Sequence, residues 1–325
     1  MIEREIRGLT ETFGAELVSL RRDLHRHAER GWLEIRTAAQ VASLLRRAGC
    51  AVRMGKDVIQ AEARMGLPSE EEFDGNLARA IAQGAPEADA RRLKDGFTGV
   101  VGELDTGRPG PTVGLRVDID ANDGEESTSP SHRPAREGFT SVNPGAHHNC
   151  GHDGHTAIAV TVARILAALQ PHLRGRCKFF FQPAEEGTRG ATAMVESGIV
   201  DDVERLVCFH IGVGAQATGQ IIAGAYEFQA TTKLNAVYRG APAHAGHAPE
   251  QGRNALLAAA TAVLNLLAMP RHGGGDARRR VRDHGRGARD HGIERSGNRR
   301  GREARGQHRP ERDEGRRAEP LRRGG

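Results

Sequence analysis

The chain has 325 residues, a 38% hydrophobic share, a mean hydropathy of −0.54 and a formal net charge of +5, long enough for a sizeable core yet polar for its length. The polarity is local: residues 271–325 hold 18 Arg against 9 Asp plus Glu, a net of +9, so residues 1–270 carry −4 and the pI of about 9.4 describes the tail rather than the body. Four scattered cysteines argue against a disulfide framework, no run reaches the ~18 apolar residues of a membrane helix, and the charged start Met-Ile-Glu-Arg-Glu-Ile-Arg is no signal peptide; the expectation is a cytoplasmic protein with no membrane partner.

From Leu17 to Arg47, apolar residues recur at helical spacing in two segments that meet near Arg30-Gly31. Judged alone, His25 and His27 of the first segment belong on a solvated helix face. Residues 57–97 read as a polar helical insertion, with Glu70-Glu71-Glu72 near a helix start and Gly84 and Gly96 as breaks. The core pattern follows. Thr112–Ile119 is a short apolar strand closing on Asp118 and Asp120, Cys177–Phe181 is a second that runs into Gln182-Pro183-Ala184-Glu185-Glu186, and Arg205–Phe209 is a third that ends in His210. Helical runs at Ala157–Gln170 and Gly190–Val200 alternate with them. This alternation predicts an α/β fold, a mostly parallel sheet flanked by helices, in which ligands bind at the carboxyl ends of the strands.

Just before the helical run at Ala157, residues 147–156 pack one thiol, four imidazoles and one carboxylate into ten positions. A His-rich helix entry is common, but three neighbouring strand ends carrying Asp, Glu and His change its meaning. Thiolate and imidazole suit a soft divalent ion, so the leading expectation is a metal site of Cys150, His152, one of the paired glutamates and His210. His147, His148 and His155 take supporting roles at the helix entry.

Further on, Ala230–Arg239 alternates as a strand, Gly240–Gly252 is a loop holding His244 and His247, and Arg253–Met269 is a strongly apolar helix. These mark the start of a smaller α+β unit, residues 228–270, behind a catalytic domain of residues 1–227. In the tail, residues 271–325, the large aliphatics are Val281, Ile293 and Leu321, too few to offset chain entropy, and disorder is expected. A nucleic-acid arm is disfavoured by the lack of interleaved aromatics; it predicts a steep salt dependence that deletion of residues 271–325 removes.

Six motifs in this order carry a resemblance: Arg-Arg-Asp-Leu-His-Arg-His-Ala-Glu (21–29), Asp-Ile-Asp-Ala (118–121), Cys-Gly-His-Asp-Gly-His-Thr-Ala (150–157), Phe-Gln-Pro-Ala-Glu-Glu-Gly (181–187), His-Ile-Gly (210–212) and Ala-His-Ala-Gly (243–246). Over residues 15–270 the chain resembles the metal-dependent aminoacylase/carboxypeptidase amidohydrolases of the zinc-peptidase clan. The insertion at 57–97, Thr-Gly-Val-Val-Gly (98–102) and residues 252–260 resemble the branch that contains p-aminobenzoyl-glutamate hydrolase. The resemblance implies two divalent ions, Mn or Zn, held by Cys150, His152, Glu186 and His210, with Asp118 and Asp120 orienting the ligands and Glu185 as general base. It implies that His244, in a lid and dimerisation domain, contacts the scissile carbonyl, often that of a neighbouring subunit. The activity implied is hydrolysis of an amide bond in N-acyl or aminobenzoyl amino acids by a homodimer or paired subunit; the alternative is a non-catalytic metal-binding subunit of the same fold.

Members of that family continue through further lid strands and return to the catalytic domain with a final metal-ligand histidine. Here the composition turns to Arg, Gly, Asp and Glu just after Met269. The expectation is a frame shift in a GC-rich gene, with an incomplete lid and an impaired activity, and reading the downstream DNA in the other two frames tests it.

Overall fold

The computed structural model describes residues 2–215, 217–224, 236–244 and 246–268. They fall into a first unit ending at Ala223 and a second beginning at Gly224.

In the first unit α1 (Ile2–Arg26) and α2 (Ile35–Arg47) are followed by β1 (Ala51–Met54), α3 (Glu70–Ala82), α4 (Glu87–Arg92), β2 (Val100–Asp105) and β3 (Thr112–Asp118). A short pair, β4 (Asn122–Asp123) and β5 (Ala146–His147), flanks α5 (Arg133–Glu137), and then come α6 (His152–Ala168), β6 (Arg176–Gln182), α7 (Gly190–Val195) and β7 (Arg205–Cys208). The main sheet runs β1-β2-β6-β3-β7. Its β6-β3-β7 half is parallel, while β1-β2 and β2-β6 are antiparallel. The three strands read from the sequence are therefore the parallel half, and their carboxyl ends lie side by side.

Side chains alternate across the central strand. Phe179 and Phe181 of β6 enter a core cluster with Ile35, Val41 and Leu45 of α2 and Val160 of α6, while Phe180 enters a second cluster with Trp32, Ile59, Phe97 and Met194. The period of two explains why a Phe-Phe-Phe run, buried on both faces, sits in a central strand. Each such ring stabilises the fold by about 2–3 kcal/mol. The strands β1 and β2 escaped the sequence reading. In β2 the pattern is broken by Gly102, where an added Cβ would press on Leu45 Cδ1 at 3.0 Å, so the glycine lets α2 lie close to the sheet.

The insertion at 57–97 holds α3 and α4. A capping box starts α3, with Glu72 N donating to Ser69 Oγ and Ser69 N to Glu72 Oε2. It is tied to the α1–α2 junction: Asn76 Nδ2 donates to the Leu33 carbonyl at 2.6 Å and Trp32 Nε1 to the Met65 carbonyl at 2.8 Å.

In the second unit α8 spans Ala255–Ala268, with Leu257 N donating to Asn254 Oδ1 at 3.0 Å, and is preceded by a bridge between Ala241 and Arg253. Of the strand expected at Ala230–Arg239, residues 230–235 lie outside the described residues and 236–239 have no regular structure. The tail, residues 271–325, lies outside them as well. No helix among the described residues is long and apolar enough to cross a membrane.

Candidate metal centre

The helix α6 begins at His152, five residues earlier than its apolar periodicity suggests. Gly151 supplies the turn into it, with φ +94°, a conformation open to glycine. The first turn then places His152 and His155 against the ends of β3 and β6. His152 is fully buried. Its Nδ1–H donates to the Asp120 carbonyl at 2.8 Å and lies 3.2 Å from Asp120 Oδ1. In the neutral ring this leaves the lone pair on Nε2, which has no hydrogen-bond partner among the described residues and lies 3.7 Å from Asp118 Oδ1 and 3.9 Å from Glu185 Oε2. A buried imidazole nitrogen left open among carboxylates, with its other nitrogen held by a second group, is the arrangement of a metal ligand.

His210 is set the same way. Its Nδ1–H donates to the Ile211 carbonyl at 2.8 Å, and its Nε2 faces Cys150 Sγ at 3.3 Å. Donor atoms of Cys150, His152 and His210 lie within 4.8 Å of one another, as do those of His152, Glu185 and Glu186. A third trio, Asp118, His152 and His155, is equally compact, but His155 has no nitrogen to spare. Its Nδ1 is 2.6 Å from Asp118 Oδ1 and its Nε2 accepts from Ile211 N at 2.9 Å. His155 is a strut, and His147 likewise bonds the Gly124 carbonyl at 3.1 Å.

The charges fit a cation. Burial pushes the Cys150 thiol up, and Glu186, Glu185 and Asp118 add to it, to about 12. Burial alone would lower His152, but Asp120, Asp118 and Glu185 outweigh it and lift the imidazole to about 9. Burial and the neighbouring acids also raise Glu185. A divalent ion reverses the unfavourable part of this balance, since it favours thiolate and carboxylate and neutral imidazole. The donor set, two imidazoles and a thiol beside two carboxylates, fits such an ion.

The paired glutamates sit on a loop that cannot be freely redrawn. Ala184 has φ +47°, and its carbonyl accepts from Arg189 N and Gly190 N at 3.2 and 3.0 Å. An added Cβ at Gly190 would overlap the Pro183 carbonyl oxygen. Gly190→Ala is accordingly expected to displace this loop and to lose bound metal even where the chain stays soluble; metal content and a thermal melt of the variant check it.

A second polar cluster lies behind α6, and here the expectation for His25 is corrected. It is 3% exposed, not on a solvated face, because its Nδ1 and Nε2 lie 2.8 Å from Asp153 Oδ2 and Glu126 Oε1. Arg21 Nε reaches the same Asp153 oxygen at 2.7 Å. Asp153 and the buried Glu34, which accepts from Ala184 N and Thr98 Oγ1, were missed. Charged residues give no apolar period; for Asp153 the available signal was its place inside the motif at 150–157, and Glu34 had none.

The candidate centre therefore gathers Cys150, His152, Glu185, Glu186 and His210, with Asp118 and Asp120 behind them. His244 belongs to the second unit, where Gly246 N donates to its Nδ1 at 3.2 Å, leaving the proton on Nε2.

The model of peptidase family M20/M25/M40 matches residues 114–292, more than half of the chain. The chain belongs to this family. The match takes in every residue of the metal centre and ends beyond residue 270, where the resemblance read from the motifs stopped. Among the M20 relatives, the indole-3-acetyl-aspartic acid hydrolase of Enterobacter agglomerans is 51% identical over 263 residues, 81% of this chain and 60% of that protein. A protein of Escherichia coli strain K12, named as one subunit of p-aminobenzoyl-glutamate hydrolase, is 50% identical over 258 residues, 79% and 59% of the two chains. The crystal structure of an aminobenzoyl-glutamate utilization protein from Klebsiella pneumoniae aligns with a TM-score of 0.67 and 40% identity, over 83% of this chain and 62% of that one. The chain thus spans about three fifths of the length of these relatives.

Proposed function

We propose that this chain carries the metal-binding machinery of an amide hydrolase that acts on N-acyl derivatives of acidic amino acids. The carrying observation is the buried, unpartnered His152 Nε2 ringed by Cys150, Glu185, Glu186 and His210. The substrate class rests on two relatives named for indole-3-acetyl-aspartate and p-aminobenzoyl-glutamate, both aromatic acyl groups joined through an amide to an amino diacid.

Cys150, His152, Glu186 and His210 would hold the divalent ions, Mn or Zn, two per site in this reading. Such ions, when bound, supply polarisation of the amide carbonyl and a water that ionises near neutrality. Glu185 does the proton work. Its carboxylate is partly open to solvent, accepts no hydrogen bond from the described residues, and is raised toward neutrality by burial and its acidic neighbours, which suits a group that takes a proton from water and returns it to the leaving amine. Asp118 and Asp120 hold the struts and ligands: Asp120 fixes His152 and accepts from Glu186 N at 2.9 Å, and Asp118 fixes His155. His244, with its proton on Nε2, is a donor of the kind that stabilises an oxyanion.

The E. coli relative is named as a subunit of its hydrolase, which favours a second reading in which this chain works with a different partner chain or a second copy. Purified chain loaded with Mn²⁺ or Zn²⁺ is expected to cleave p-aminobenzoyl-glutamate or indole-3-acetyl-aspartate, and removing the metal with a chelator is expected to abolish the cleavage reversibly. Metal bound at a fixed stoichiometry without cleavage of either amide would select the non-catalytic role instead.

A further inference from the structure

We propose that Glu34 is a positioning residue that holds the left-handed kink at Ala184 and so aims Glu185 and Glu186 at the metal centre, an inference that rests on the metal-site reading above. Ala184 is fully buried and has φ +47°, a conformation that a residue with a Cβ rarely adopts without help. The help comes from both sides of the peptide chain. Ala184 N donates to Glu34 Oε1 at 2.8 Å, and the next-but-one amide, Glu186 N, donates to Asp120 Oδ2 at 2.9 Å. Two buried carboxylates thus grip alternate amides, and the side chains of Glu185 and Glu186 project from the stretch between and beyond them.

Helix capping does not explain Glu34. Although it stands at the N-cap position of α2, its side chain caps nothing there. The free amides of that turn, Arg36 N and Thr37 N, donate to Glu29 at 3.2 and 2.8 Å. Both oxygens of Glu34 are instead spent outside the helix, one on Ala184 N and one on Thr98 Oγ1 at 2.6 Å. Thr98 and the insertion side of the fold thereby set where Glu34 stands, and Glu34 sets where the loop stands.

The full chain tests this with two measurements on Glu34→Gln, Glu34→Asp, Ala184→Gly and the Glu34→Gln/Ala184→Gly double variant: hydrogen exchange of the peptide covering residues 181–189, and Zn²⁺ affinity by chelator competition. Gln offers one acceptor oxygen in place of two, and Asp keeps the carboxyl group but falls a methylene short, which guards against a variant that fails to fold. Faster exchange confined to residues 181–189 is expected in both, with Zn²⁺ affinity lower by about 10–100-fold. Glycine adopts φ +47° without strain, so Ala184→Gly is expected to restore most of the affinity lost by Glu34→Gln, a rescue that a merely structural Glu34 would not allow. Unchanged exchange in residues 181–189, or the same loss of affinity in the Ala184→Gly background, overturns the proposal. A wild-type chain that binds no Zn²⁺ overturns the metal reading instead, and the exchange measurement still decides the role of Glu34.

Discussion

Glu185→Gln is expected to lower amide hydrolysis by about 10²–10⁴-fold, the range of general acid–base catalysis, while metal content stays at the wild-type level. Neighbouring glutamates are easily interchanged on paper, and the surroundings separate them here. Glu186 is anchored through its amide, which donates to Asp120 Oδ2 at 2.9 Å, and its charge opposes ionisation of the Cys150 thiol more than that of Glu185 does, whereas the Glu185 carboxylate accepts no hydrogen bond from the described residues and stands 3.9 Å from His152 Nε2. In the proposed reading Glu186 belongs to the ligand set and Glu185 meets water. Gln retains the size of Glu but cannot take a proton. The assay is kcat at saturating metal alongside metal content of the same preparation. Metal lost in step with activity would make Glu185 a ligand, and activity retained within a few-fold would remove it from the chemistry. An acid limb set by Glu185 in the wild-type rate should vanish in the variant.

The strand ends were legible because apolar runs stop abruptly at them: Val117 before Asp118, Phe181 before Gln182 and the glutamates, Cys208 shortly before His210. What periodicity could not show was the first turn of α6. His152, Asp153, Gly154, His155 and Thr156 are all buried, yet none is a large apolar residue, since ion pairs and hydrogen bonds stabilise that turn in place of hydrophobic contact. The same reason hid Glu34 and assigned His25 to solvent. A burial rule based on hydrophobicity misses charges that are satisfied by partners more than a hundred residues away, as Asp153 is 128 residues from His25. At the other end, α1 begins at Ile2 although its early residues are exposed, because Glu, Arg and Leu favour helix without needing a buried face.

Asp153→Asn is expected to destabilise the chain by about 3 kcal/mol, near the low end of what removing one partner of a buried ion pair costs. Asp153 is fully buried and holds Arg21 Nε, His25 Nδ1 and its own helix's Gly154 N within 2.8 Å. Its carboxylate also lies in the first turn of α6, where the helix dipole favours a negative charge. Burial raises its pKa, but bonds from His25 and the charges of His148, Arg21 and His25 prevail and bring it from 3.8 down to about 2. A carboxyl depressed by folding contributes stability that is present above its unfolded value and lost as the pH falls, here between about pH 4 and pH 2. The gap is worth about 2 kcal/mol. Asn removes that term and leaves His25, 3% exposed, with Glu126 alone, while Arg21 can turn to water. The loss therefore exceeds the linkage term without reaching the full cost of an orphaned charge. Urea denaturation at pH 7 should show a lower midpoint at unchanged slope, and the acid decline between pH 4 and pH 2 should be shallower in the variant. A midpoint shift worth less than about 1 kcal/mol would mean that the network behind α6 relaxes around the lost charge, and that the first turn bearing His152 is held by its bonds to Asp120 and Asp118 instead.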